Sequence, residues 1–297
     1  MSFAEKKITN VYSINSSNGT ELLRTWRVFV PAGERALQKH SHIRFEITCV
    51  DSGCGIYTVG ERQYKMQSGD IFIFASNEQH CITDVSDGGL VISNIHFEPR
   101  YLWGSFADSL SEKNINMCFS RSELFENRIP ADKSGFIRSL FKEIVTELAE
   151  KRPEYALAVK SLLNTFLIHL IRDFDYSEKS VPLSRDSLHS IRRVTNYIDA
   201  NLCERLTLEM LAEHAGMSPN YLSSFFHKIS GITLWDYINS KRIDMAIHKL
   251  SDEDLNKNIL DIAYSCGFNN TANFNKAFKK ATGMTPTQYR DSSDIQI

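Results

Sequence analysis

A helix–glycine–helix pattern occurs twice towards the end of the chain, and no other feature restricts its fold as tightly. Leu211, Ala212 and Gly216 match Ile262, Ala263 and Gly267 at an offset of 51 residues. Leu222, Phe226, Gly231, Thr233 and Tyr237 match Phe274, Phe278, Gly283, Thr285 and Tyr289 at an offset of 52, so the second copy has one extra residue in its turn. Thr207 and Asn258 supply side-chain oxygens that can cap the first helix of each copy. Gly216, and Cys266 with Gly267, end those helices, because glycine tolerates the left-handed turn a helix end requires. Ser218 caps the next helix of the first copy, with Pro219 at the first helical position, where a missing N–H is harmless. Asn269, Asn270 and Thr271 offer caps in the second copy.

The spacing turns Leu222, Phe225 and Phe226 inward in the first copy, and Phe274, Ala277 and Phe278 in the second. It leaves Asn220, Ser223, Ser224 and His227 outward in one, and Asn275, Lys276, Lys279 and Lys280 in the other. Residues 235–250 read as a longer helix, with Ile238, Ile243, Ala246, Ile247 and Leu250 inward, that joins the copies rigidly. A short helix held at a glycine corner, with polar and basic residues outward, is what a DNA major groove admits.

Charge does not by itself point to nucleic acid. The net charge is −2, and residues 185–297 hold 13 Lys+Arg against 13 Asp+Glu. DNA affinity must come from local placement, with Asp252, Glu253 and Asp254 turned away from phosphate. The 297 residues suggest two domains. No apolar run approaches the roughly 20 residues that span a bilayer, and MSFAEKKITN has no signal-peptide core. Six scattered cysteines (Cys49, Cys54, Cys81, Cys118, Cys203, Cys266) form no CxxC and read as reduced thiols. A cytoplasmic protein without membrane contact is expected.

Upstream, the period changes. Residues 23–30 (LRTWRVFV) read as a strand, and residues 40–97 read as short strands, FEITCV, GIYTV, QYKM, DIFIF and LVISNIHF, separated by DSGCG, GER, QSG, ASNEQ and SDGG. This is the pattern of a barrel or sandwich. Helices follow, with Phe136, Leu140, Phe141, Ile144, Val145 and Leu148 on one face, and Val159, Leu162, Leu163, Phe166, Leu167, Leu170 and Ile171 on another. The polar stretch 173–187 reads as a linker.

The C-terminal pattern resembles the AraC/XylS family of transcription regulators, on Ile262-Ala263, Gly267-Phe268, Phe274, Lys276, Phe278-Lys279, Gly283, Thr285-Pro286 and Tyr289-Arg290. The strand region resembles the cupin barrel, on Gly33, His40, His42, Glu46 and Gly53. A second cupin motif is weaker: Gly69 and His80 stand at its ends, Ala75 and Asn77 replace the usual Pro and Gly, and Asp84 replaces Asn. Residues 97–103 (FEPRYLW) look like the strand exit of sugar-sensing regulators of that family.

The fold class expected is α+β. It comprises an N-terminal cupin-like β-barrel with C-terminal helices over 1–176, a linker over 177–187, and an all-α domain with two helix-turn-helix motifs over 188–291. The resemblance implies recognition helices entering successive major grooves of double-stranded DNA, read by Asn220, Ser223 and Ser224 and by Thr271, Ala272, Asn275 and Lys276. Neither helix carries Arg, so Asn to adenine and Lys276 to guanine are the strongest direct readers available. Lys241, Arg242, Lys279, Lys280 and Arg290 read as phosphate or fold residues.

The barrel is expected to bind a small effector through His40, His42, Glu46, His80, Asn94 and His96. HxH on a strand would put both imidazoles on one face, and His40, His42, Glu46 and His80 have the donor types of a metal-binding cupin. The eroded second motif favours an effector without metal or cofactor and without catalysis. At the family's positions for the sugar-contacting Arg and Trp stand Ser52 and Asn94, which argues against arabinose; Trp26, Arg27 and Arg44 are further cavity candidates. The resemblance implies a homodimeric regulator, read as an activator controlled by a carbohydrate-type effector, with RNA polymerase as a partner. The alternatives are a regulator responding to metal or another non-sugar signal, and a metal-dependent cupin enzyme carrying a DNA-binding module.

Overall fold

A computed structural model describes residues 7–15, 21–34, 39–76, 78–103, 122, 124–176, 185–230, 232–251, 258–282 and 284–291. Asn77, Cys118, Gly231, Gly283, the acidic run 252–254 and linker residues 177–184 lie outside them. The chain divides into two compact units, Met1–Lys39 with Arg44–Ser180, and His40–Ile43 with Val181–Ile297.

The first unit is an antiparallel sheet followed by helices, a cupin-like fold. Its strands are β1 (Lys7–Asn15), β2 (Glu21–Val30), β3 (Gly33–Glu34), β4 (Phe45–Val59), β5 (Arg62–Gln67), β6 (Ile71–Phe74), β7 (His80–Phe97) and β8 (Arg128–Ile129). The order is β1-β2-β7-β4-β6-β8, with β3 on β7 and β5 on β4.

Of the expected short strands, FEITCV and GIYTV fuse into β4 and LVISNIHF is the end of the longer β7, while QYKM and DIFIF stay short as β5 and β6. DSGCG lies within β4 and SDGG within β7, where they form irregular register rather than turns. Gly53 and Gly89 explain this. Both have positive φ, and a Cβ on Gly53 would come within 2.2 Å of the Gly89 carbonyl oxygen. Glycines here let two strand backbones approach where a bulge bends the pair.

Alternation along the strands separates two buried faces. One carries Trp26, Val28 and Val30 of β2, Val50 of β4, Phe72 and Phe74 of β6, and Leu90 and Ile92 of β7 in a single apolar cluster. Strands β2 and β6 are not neighbours, so the sheet must curl around this face, which is its interior. The other face carries Leu23, Phe45, Ile47, Ile71, Ile73, Ile95 and Phe97, also buried.

That outer face is covered by chain after the sheet. Phe45 meets Tyr176 at 6.0 Å between ring centroids, and Cys49 lies within charge reach of Arg138 and Lys142. Following the short α1 (Arg100–Trp103), helices α2 (Gly135–Glu150) and α3 (Tyr155–Asp173) pack together. Ile137, Leu140, Phe141, Ile144 and Leu148 of α2 are buried, as are Val159, Leu163, Phe166, Leu167 and Leu170 of α3. Phe136, expected inward, is exposed and rests its ring against His169; Ile137 takes the inward place.

The second unit holds α4 (Arg185–Ala200), α5 (Leu208–Ala215), α6 (Pro219–Ser230), α7 (Leu234–Ser251), α8 (Ile259–Ser265), α9 (Thr271–Thr282) and α10 (Pro286–Asp291). Helix α4 begins inside the expected linker, at Arg185. Thr207 accepts from the Met210 N–H and Asn258 from the Leu260 N–H, capping α5 and α8. Gly216 (φ 67°) and Gly267 (φ 85°) make the two corners. Asn270 caps α9 by accepting from Asn273 N at 2.8 Å.

Internal symmetry extends to the caps. Thr233 accepts from Asp236 N ahead of α7, and 52 residues on, Thr285 accepts from Gln288 N ahead of α10. Gln288 Oε1 in turn accepts from Thr285 N, completing a capping box. The second copy's core joins Ile243, Ala246 and Leu250 of α7 to Ile262, Ala263, Phe274, Phe278 and Tyr289.

Candidate functional sites in the sensor and on the DNA-reading helices

In the first unit, the interior face of the sheet changes character along its length. Beyond the valines and leucines of the apolar cluster it carries Glu46 and Thr48 on β4 and Asn94 and His96 on β7. Glu46 pairs with His96 and Thr48 with Asn94 in the strand register. All four are buried.

Glu46 is the hub. Its Oε2 lies 3.0 Å from His80 Nε2 and 2.8 Å from His96 Nε2. Thr48 Oγ1 is 2.8 Å from Glu46 Oε1 and 2.7 Å from Asn94 Oδ1. A hydroxyl has one proton, so both contacts are satisfied together only when Asn94 turns its NH2 towards Thr48.

His80 is fixed from two sides. Its Nδ1 is 2.8 Å from the Glu78 carbonyl oxygen, which can only accept, so Nδ1 carries a proton. Its Nε2 faces the Glu46 carboxylate. Burial works against the imidazolium, but the Glu46 charge and the hydrogen bonds with Glu46 and Glu78 outweigh it, so the pKa is raised. Phe74 stacks on the His80 ring at 4.1 Å, and Trp26 meets His96 edge-on at 4.4 Å.

Of the sequence candidates, Glu46, His80, Asn94 and His96 thus converge, and Trp26 joins them. Thr48, the link between Glu46 and Asn94, was missed; its place two residues after Glu46 on a strand was the available signal. Arg27 points to the other face, ion-paired with Asp51 at 2.9 Å, and Arg44 pairs with Glu21. Ser52 is exposed at the β4 bulge.

His40 and His42 do not sit on a strand as expected. His40 is an isolated bridge, and the chain bends at Ile43 and Arg44 before β4 begins, so strict alternation does not govern the pair. Their rings lie 5.8 Å apart between centroids.

In the second unit, Asn220, Ser223 and Ser224 are exposed on α6, and Ala272, Asn275 and Lys276 on α9; Thr271 is half-buried at the start of α9. Phe225 and Phe226, and Phe274 and Phe278, anchor the reverse sides of these helices. Tyr221, more than half exposed and stacked on Phe225, also sits on the outward side of α6.

Lys241 and Arg242 are buried and serve the fold. Lys241 pairs with Asp199 and lies over the Tyr237 ring. Arg242 donates from Nε to Leu202 O and from Nη2 to Glu204 O, both at 2.9 Å, and lies over Phe268. Burial lowers its guanidinium pKa. Lys280 is paired with Asp236 at 2.9 Å.

Two paired corner motifs with polar outward faces, joined by one helix and preceded by a sheet with a polar interior, meet two family descriptions. A helix-turn-helix domain model matches residues 211–292, and a model of the AraC-like ligand binding domain matches residues 32–167.

The chain belongs to the AraC/XylS family of transcription regulators.

This AraC/XylS regulator is 25% identical to the HTH-type transcriptional activator RhaR of Escherichia coli K12 over 252 residues, covering 85% of the chain and 86% of RhaR. RhaR of Shigella flexneri is 26% identical over 253 residues, with the same coverage. The fold is that of ToxT from Vibrio cholerae. One ToxT structure matches 97% of this chain and 98% of its own at TM-score 0.57 and 14% identity, and that of strain O395 matches 99% of each at TM-score 0.58. The regulator is thus a DNA-binding transcription factor with a ligand-binding sensor. No helix among the described residues is long and apolar enough to cross a membrane.

Proposed function

We propose that this regulator is a transcription activator whose sensor binds a small carbohydrate-type effector, and that it acts by binding rather than by catalysis. The observation that carries the reading is the buried polar group Glu46, Thr48, His80, Asn94 and His96 on the interior face of the sheet. Carboxylate, amide, hydroxyl and imidazole together offer both donors and acceptors, as a polyhydroxy ligand requires. Kinship with RhaR, an activator by name, supports the sign of regulation. On DNA, Asn220, Ser223 and Ser224 read one major groove and Thr271, Ala272, Asn275 and Lys276 the next.

The regulator works as a homodimer. Leu157 and Ile168, exposed about three turns apart on one stripe of α3, and exposed Phe136 of α2 supply the apolar surface a second copy would cover. Effector binding shifts the population between states in which the dimer bridges different pairs of half-sites. RNA polymerase is then recruited from the occupied site.

Thermal unfolding against a panel of sugars and sugar acids tests the reading. An effector at 100 times its Kd adds about 2.7 kcal/mol, roughly 5–10 °C for a unit of this size. A carbohydrate that stabilises the protein and changes its DNA binding carries the reading. A response confined to metal ions would favour a second one, since the sequence offers imidazole and carboxylate donor types at His40, His42, Glu46 and His80.

A further inference from the structure

One charged group on the interior face remains unaccounted for. Arg24 lies on β2, two residues before Trp26 and on the same side of the strand, and its Cα partner on β7 is His96. Its guanidinium carbon sits 5.4 Å from the centroid of the Trp26 ring. Its Nε is buried and has no hydrogen-bond partner among the described residues. The chain Arg24, Trp26, His96, Glu46 is therefore continuous, and it places a cation at the edge of the polar group.

Three acids of the sheet are already engaged. Glu46 faces both imidazoles. Asp51 is held by Arg27 and Ser93 on the other face, and Glu21 is held by Arg44. A buried N–H of a guanidinium without an acceptor is unfavourable, and an incoming anion relieves it. Guanidinium presents its N–H groups as a planar fork that matches a carboxylate with two parallel hydrogen bonds. Asn94, Thr48 and His96 beside it suit hydroxyls.

We propose that Arg24 receives the carboxylate of the effector, so that the ligand is a sugar acid or similar polyhydroxy carboxylate rather than a neutral sugar. The inference rests on the carbohydrate reading above and adds the charge of the ligand to it. Trp26 holds the guanidinium in place, and the Glu46 group orients the hydroxyls.

The test is calorimetric titration of the full chain with matched pairs, galactose against galacturonate and glucose against gluconate, together with a non-sugar hydroxy acid and a long-chain fatty acid. The wild type is compared with Arg24→Gln and Arg24→Lys. At least one sugar acid is expected to bind ten times or more tightly than its neutral parent. Arg24→Gln should weaken the acid by about 10- to 100-fold and leave the neutral parent within about twofold, and Arg24→Lys should keep part of the preference.

A neutral sugar bound as tightly as its acid, or acid binding untouched by Arg24→Gln, overturns the role of Arg24 and leaves the carbohydrate reading standing. A non-sugar carboxylate bound through Arg24, with no sugar acid bound, does the reverse. No binding in any arm overturns both. Should Arg24→Gln fail to fold, the wild-type preference between acid and parent decides alone.

Discussion

Arg242 donates its Nε hydrogen to the carbonyl oxygen of Leu202 across 2.9 Å, from the middle of the helix that joins the two DNA-reading motifs. The same guanidinium reaches Glu204 O and covers Phe268, so one side chain ties the segment before the first motif to the corner of the second. Gly267 completes the joint, since a Cβ there would come within 2.6 Å of Leu202 O and 2.9 Å of Arg242 Nε.

Arg242→Ala should therefore destabilise the C-terminal unit by about 2–3 kcal/mol, because two carbonyls lose a charged donor. Beyond stability, binding to DNA carrying both sub-sites should become less sensitive to the spacing between them. Urea unfolding and a series of spacer-length DNA duplexes measure the two effects. Spacing selectivity equal to wild type in the folded variant would show that Arg242 only holds the fold.

Glu46→Gln should remove the charge shared by His80 and His96, costing the sensor about 1–3 kcal/mol. The pH dependence follows from His80. Its folded pKa is raised, so its stabilising contribution is complete below the unfolded value near 6.5 and is lost as pH rises through the folded value. The wild-type protein should lose stability from this group as pH rises from about 6.5 through the raised folded value, and Glu46→Gln should flatten that loss. Denaturation midpoints across the pH range report it.

Cysteine reactivity should divide by burial. The Cys49 thiol is pushed up to about 12 by burial, with Asp51 adding to the shift, and burial also raises Cys81 and Cys266. Thiolate is the reactive form. Iodoacetamide at pH 8 should modify exposed Cys54 and Cys203 in the native protein and spare buried Cys49, Cys81 and Cys266. Mass spectrometry of the labelled chain settles it, and fast labelling of Cys49 would contradict its placement between sheet and helix.

Lys276→Ala and Asn275→Ala should each weaken the preferred operator by about 1–3 kcal/mol and relax base preference at one position. Ser223→Ala and Ser224→Ala should do less, since a hydroxyl reads bases permissively. Competition binding over a panel of single-base operator variants separates these outcomes. A uniform loss over all sequences on Lys276→Ala would mark a phosphate contact instead.

The helical unit was legible in the sequence because its punctuation is local. Gly216, Gly267, Thr207, Asn258 and Pro219 each do their work within one turn of helix. The sheet was less legible for the opposite reason. Gly53 and Gly89 resemble turn residues to their own neighbours in sequence, and only each other's backbone, 36 residues away, makes them strand residues. Leu23 and Thr25 are buried on the outer face of β2 as Trp26, Val28 and Val30 are on the inner, so no polar alternation indicates that Arg24 and Trp26 share the interior while Arg27 leaves it. The HxH spacing of His40 and His42 predicts a strand pair and carries no sign of the bend at Ile43 and Arg44.

A sheet buried on both sides gives its strands two separate vocabularies. In β4, Glu46, Thr48 and Val50 address whatever occupies the interior, while Phe45, Ile47 and Cys49 address the covering chain outside. Adjacent positions can then drift independently. A change of ligand taste among relatives can accumulate at every second residue while the intervening ones keep the scaffold, so two regulators of this build can share their packing and diverge in what they sense.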